Sequence, residues 1–101
     1  ITQTDVAGYS FGAWVCAKTD FKLTPPKNMI MVSPPVGFMS FDPLFPIPYL
    51  KLVISGSMDD IAPPDAIKEM IPIWNPDARF EVIPGADHFY TGCIEDLSFK
   101  I

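Results

Sequence analysis

Val6-Ala7-Gly8-Tyr9-Ser10-Phe11-Gly12 decides how this chain is read. An apolar run leads into it, and the helix-compatible Phe11-Gly12-Ala13-Trp14-Val15-Cys16-Ala17-Lys18 leads out of it. A Gly-x-Ser-x-Gly pentapeptide between the end of a strand, Thr4 to Ala7, and a short helix predicts a sharp turn with Ser10 at its apex. A serine hydroxyl is a poor nucleophile until a base takes its proton and the backbone holds it clear of its surroundings. The turn meets the second need, and it asks for small residues two places either side of the serine so that strand and helix can approach. Gly8 and Gly12 occupy those places.

Outward from the pentapeptide the chain alternates strands with breakers. Thr24-Pro25-Pro26 makes a loop of Thr19 to Asn28. Met29-Ile30-Met31-Val32-Ser33 is apolar on both faces, as a buried parallel strand is, and Pro34-Pro35 ends it. Val36 to Tyr49, rich in proline and in Phe38, Phe41 and Phe45, predicts an irregular crossover without a helix, or an apolar wall lining a substrate pocket. Leu50-Lys51-Leu52-Val53-Ile54-Ser55 is the clearest strand. Pro63-Pro64-Asp65 opens a helix over Ala66 to Ile71, with Ile67, Met70 and Ile71 at helical spacing. Trp74-Asn75-Pro76-Asp77 predicts a turn, and Arg79-Phe80-Glu81-Val82-Ile83 alternates as an edge strand does. Tyr90 to Lys100 predicts a surface helix whose apolar side is Ile94 and Leu97. The expected fold class is therefore α/β: a three-layer sandwich with four parallel strands, within one domain of 101 residues.

Three residues carry candidate chemistry. Ser10, Asp59 and His88 each follow a predicted strand, which puts all three at the carboxyl edge of one parallel sheet. A serine nucleophile needs an imidazole to take its proton and a carboxylate to fix the imidazole's tautomer. His88 is the chain's single histidine. Taken alone, Asp59 reads as a turn residue and His88 as a surface residue; Asp60 offers an alternative carboxylate beside Asp59. Tyr9 and Phe11 flank Ser10, where they read either as contacts to an acyl group or as packing. Trp14, Phe11 and Cys16 read as core, and Cys93 is not expected to act as a nucleophile because the one imidazole is taken.

Ala7-Gly8-Tyr9-Ser10-Phe11-Gly12-Ala13 resembles the nucleophile elbow of the α/β-hydrolase superfamily, especially its small, cap-less dienelactone-hydrolase-like and esterase-like members. Gly56-Ser57-Met58-Asp59-Asp60-Ile61-Ala62-Pro63 is similar to the superfamily's acid loop, and Pro84-Gly85-Ala86-Asp87-His88-Phe89 to its histidine loop. The resemblance implies Ser10 as nucleophile, His88 as base, Asp59 as orienting acid and the Phe11 backbone N–H as oxyanion donor, with a second donor upstream of Ile1. Because the elbow of that fold follows the fifth of about eight strands, residues 1–101 are expected to be the C-terminal part of one such domain, with its N-terminal strands absent. The strand before Ser10 would then present an unpaired apolar edge open to self-association.

The expected function is hydrolysis of ester or related acyl bonds in a small molecule through an acyl-enzyme. A non-catalytic scaffold remnant with an incomplete oxyanion hole is the competing expectation. Acyl transfer or dehalogenation is weaker, since dehalogenases of this fold generally carry aspartate at the Ser10 position. Net charge is −5 with both signs scattered, so no nucleic-acid partner is expected. No apolar run approaches the roughly 20 residues of a membrane span, so a soluble and, by default, cytoplasmic protein is expected. Cys16 and Cys93 lack metal-ligand spacing and read as reduced thiols, and no metal or organic cofactor is implied.

Overall fold

The computed structural model describes residues 5–19, 25–42 and 45–101. Thr4, Thr24 and Pro43, on which parts of the expected strand and loops fall, lie outside the described residues. In chain order the elements are β1 (Asp5–Tyr9), α1 (Phe11–Lys18), β2 (Asn28–Val32), β3 (Leu50–Gly56), α2 (Pro64–Trp74), β4 (Arg79–Ile83) and α3 (Ile94–Lys100). All four strands form one parallel sheet in the order β1-β2-β3-β4. That order leaves β1 and β4 at the two edges of the described sheet, as the alternation of Arg79 to Ile83 predicts.

Both faces of the sheet are covered. On one, Met29, Met31, Leu50 and Val53 pack with Ala13 of α1 and with Ile67, Ile71 and Trp74 of α2. On the other, Val32, Leu52, Ile54 and Ile83 pack with Ala86, Tyr90 and the partly buried Leu97 of α3. Each large side chain fully buried this way contributes roughly 1.5–3 kcal/mol. One irregularity adjusts the inner strand: Met29 pairs with Leu50 but Ile30 with Leu52, so Lys51 is an extra residue in β3. It lets Leu50 and Val53, three residues apart, face the same layer.

The helices depart from expectation in identifiable ways. α2 runs on to Trp74 instead of ending at Ile71, because Trp74 completes the i, i+4, i+7 face begun by Ile67 and Ile71 and is 2% exposed. Pro72 sits on the exposed side of its last turn. Asn75 then caps the end: its N–H donates to the Ile71 carbonyl at 2.8 Å and its amide to the Leu50 carbonyl at 2.9 Å. The C-terminal helix starts at Ile94, four residues later than expected, since Tyr90 turns inward at φ 56° and is buried. Ile94 is exposed, so Leu97 alone of the expected pair packs inward.

The crossover over residues 36–49 has no helix among its described residues. Phe41 and Ile47 are buried, with the Phe41 ring 5.6 Å from that of Trp74, while Phe38 and Phe45 are exposed. On α1, Phe11 is 59% exposed, against its expected place in the core, and Trp14 and Cys16 are only partly buried. The physical reason is that α1 meets the sheet over β1 and β2 at one edge, which covers only its Ala13 side fully.

Candidate active site

Ser10 sits between the last residue of β1 and the first of α1 with φ 55° and ψ −118°, a left-handed φ that costs a non-glycine residue energy. Surrounding bonds hold it there. Its N–H donates to the Val32 carbonyl at 2.9 Å, and its carbonyl accepts from the N–H groups of Ala13 at 2.9 Å and Trp14 at 3.2 Å. The two glycines of the pentapeptide prove unequal. A Cβ on Gly8 would collide with the Gly12 carbonyl and lie 2.7 Å from the Ala13 nitrogen, whereas a Cβ on Gly12 meets nothing within 4 Å. Smallness is required at Gly8 and, among the described residues, not at Gly12.

The loop that carries Asp59 leaves β3 at Gly56 and is stitched to the segment after β4. Ser57 N–H donates to the Ile83 carbonyl at 3.0 Å, Met58 N–H to the Ala86 carbonyl at 2.9 Å, and Gly85 N–H to Ser57 Oγ at 2.7 Å. Gly56 permits this approach, since a Cβ there would collide with the Ala86 carbonyl. On this base Asp59 is 3% exposed and His88 5% exposed, while Asp60 points to solvent and takes no part.

Ser10, His88 and Asp59 thereby come together. Ser10 Oγ lies 2.7 Å from His88 Nε2, and His88 Nδ1 lies 3.0 and 3.1 Å from the two Asp59 oxygens. Asp59 Oδ1 also accepts the N–H groups of Ile61 at 3.0 Å and Ala62 at 2.7 Å, so the carboxylate is held by its own loop. A carboxylate only accepts, so Nδ1 carries a proton, and in the tautomer that results Nε2 is the nitrogen whose lone pair faces the serine hydroxyl. Such an arrangement can draw the proton from Ser10 and stabilise the imidazolium that results.

Phe11 is the first residue of α1, and its N–H is one of those that have no partner within a helix. Two features of the site had no signal in the sequence. Tyr9 donates its hydroxyl to the His88 carbonyl at 2.6 Å, and Ser33 and Tyr90 join hydroxyls at 2.6 Å inside the protein. Burial pushes the Tyr90 hydroxyl up to about 12; the Ser33 bond opposes that rise, and Asp59 and Tyr9 add lesser electrostatic contributions in the upward direction. Gly56 did carry a signal, since a glycine closing an apolar strand marks a place where another backbone can approach closely. Among the described residues no cluster of side chains is suited to a metal ion, and no helix is long and apolar enough to cross a membrane.

No family model matches the chain. It is 28% identical over 104 residues to an uncharacterized protein of Rickettsia prowazekii (strain Madrid E), covering 95% of this chain and 44% of that one. Among solved structures it is similar to an α/β serine hydrolase without lid from Xanthomonas campestris, with a TM-score of 0.76, 29% identity and coverage of 92% and 42%. An α/β serine hydrolase homologue from Coxiella burnetii gives 0.77, 30%, 92% and 44%. A protein of unknown function from Agrobacterium tumefaciens, described as a candidate α/β hydrolase, gives 0.83, 26%, 97% and 47%. The chain thus spans less than half the length of each of these proteins.

Proposed function

We propose, from the premise that this chain belongs to the α/β-hydrolase superfamily, that it carries the reacting side chains of a serine hydrolase of ester or related acyl bonds in small molecules. The observation that carries the reading is the contiguous line from Ser10 Oγ through the His88 ring to buried Asp59, at 2.7 and 3.0 Å. In the first half-reaction Ser10 Oγ attacks the acyl carbon while Nε2 takes the hydroxyl proton. The tetrahedral adduct collapses when Nε2 returns that proton to the leaving alcohol, breaking the carbon–oxygen bond and leaving the acyl group on Ser10. Water, deprotonated by the same nitrogen, repeats the sequence and frees the acid. Asp59 keeps the ring in the tautomer that both halves require.

The Phe11 N–H is assigned to the oxyanion in this reading. The superfamily's second donor comes from a loop ahead of the elbow strand. A site that holds the oxyanion with one donor is expected to react roughly 10²–10³-fold more slowly than one that holds it with both.

A second, non-catalytic reading has one observation in its favour: the outer edge of β1 is unpaired among the described residues, which suits an association surface. Labelling of the purified chain with a fluorophosphonate, with Ser10→Ala as control and circular dichroism on the same sample, separates the two. Labelling that disappears in Ser10→Ala is the expected result. A folded chain that stays unlabelled would favour the association surface.

A further inference from the structure

We propose that Tyr9 is a positioning residue for His88, clamping the histidine loop to the strand that carries Ser10; this rests on the reading of Ser10 and His88 as nucleophile and base. Tyr9 touches His88 twice. Its Oη donates to the His88 carbonyl oxygen at 2.6 Å, and its ring stacks on the imidazole with centroids 5.7 Å apart and planes 28° apart. The Phe89 ring meets the same imidazole edge-on at 5.5 Å and 83°.

The geometry matters because the two partners of the 2.7 Å Ser10–His88 contact come from opposite ends of the chain, 78 residues apart. Ser10 follows the edge strand β1, and His88 stands on a turn after the opposite edge strand β4. Their elements are not neighbours in the sheet, so no ladder hydrogen bond sets that distance. Tyr9, the residue before Ser10, makes the direct link between them. A phenol has one O–H to donate, and here it is spent on the His88 main chain, so Tyr9 is committed to the loop and not to an acyl group. Burial pushes the Tyr9 hydroxyl up, followed by the charges of Asp59 and Asp87, which keeps it protonated as a donor.

Tyr9→Phe removes the donor and keeps the ring, so the stacking and its ring current stay nearly constant. Two readouts on the 101-residue chain test the proposal: the His88 ring ¹⁵N and Nδ1–H resonances, and the rate of fluorophosphonate inactivation as a function of probe concentration. In Tyr9→Phe the His88 resonances are expected to shift or broaden with the melting temperature little changed. The limiting inactivation rate is expected to fall about tenfold at unchanged probe affinity, within the roughly hundredfold that a 1 Å misplacement of a reacting group can cost. Tyr9→Leu, which also loses the ring, should fall further. Wild-type His88 resonances in Tyr9→Phe, an unchanged limiting rate, or an effect on probe affinity alone would each overturn the proposal, the last by making Tyr9 part of the substrate wall. Should the wild type fail to react while Tyr9→Phe still moves the His88 resonances, the clamp stands and the assignment of Ser10 as nucleophile falls.

Discussion

Ser33 and Tyr90, 57 residues apart in the chain, join their hydroxyls at 2.6 Å in the interior, and both hold left-handed backbone angles, φ 49° and 56°. Ser33 follows β2 directly with its N–H on the Ile54 carbonyl at 2.7 Å, so the bond fastens the segment just past His88 to the middle of the sheet. Both side chains are almost fully buried, so neither hydroxyl can exchange its partner for bulk water.

Tyr90→Phe therefore leaves Ser33 Oγ buried without its partner, and the expected loss is about 1–3 kcal/mol of stability. The double variant Ser33→Ala/Tyr90→Phe removes both polar groups and should lose less than the sum of the two single changes. Urea unfolding of the three variants measures the cycle; strict additivity would mean the two hydroxyls do not stabilise each other.

The two glycines of the pentapeptide should separate cleanly. Gly8→Ala drives a methyl group into the Gly12 and Ala13 backbone, where nothing flexible can yield, and should cost about 1–3 kcal/mol or more. Gly12→Ala meets open space in a helix and should be neutral or gain up to about 1 kcal/mol. Thermal melts of the two variants decide it; equal losses would contradict the geometry.

Asp59→Asn tests the tautomer. Asp59 Oδ1 accepts from Ile61 and Ala62, so an asparagine would keep its oxygen there and turn its NH₂ toward His88 Nδ1. Nδ1 must then accept, the ring proton moves to Nε2, and Ser10 loses the base that the proposed function assigns to it. A drop of roughly 10⁴-fold in the rate of fluorophosphonate or activated-ester reaction is expected, with the fold intact by circular dichroism. Asp60→Asn, at an exposed carboxylate, should leave the rate unchanged.

The turn bearing His88 carries its own pH signature. Asp87 accepts the N–H groups of Thr91 at 3.0 Å and Phe89 at 3.1 Å, and the Thr91 bond above all holds its carboxyl below the usual range. A depressed folded value means the turn's extra stability is complete above the unfolded value of about 3.9 and is lost as pH falls through the folded one. The amide resonances of Phe89 and Thr91 should titrate together with a midpoint below about 3.9, and Asp87→Asn should abolish that titration. A midpoint at or above the ordinary value would show that these bonds do not favour the charged form.

Some of this was readable from local pattern, because local pattern reports what a residue's near neighbours require. The apolar run at Met29 announced a buried parallel strand, since a strand covered on both faces has no polar side to show. Pro64 marked the start of α2 because a residue without an N–H costs nothing in a first turn. The end of α2 was not legible: Trp74 continues the helix because the Phe41 ring and the sheet give its side chain somewhere to go, and both lie far away in sequence. Tyr90 was assigned to a surface helix for the same reason, its partner Ser33 being invisible from its own neighbourhood.

The order of the elements and the three polar residues at strand ends follow from local pattern, because strand, turn and helix preferences act over a few residues. That Asp59 and not Asp60 faces His88, that Gly8 and not Gly12 must lack a side chain, and that Tyr9 turns to the histidine loop are set by the folded chain. Each of those outcomes depends on a contact between segments brought together by the sheet, and such contacts leave no trace in the spacing of either segment.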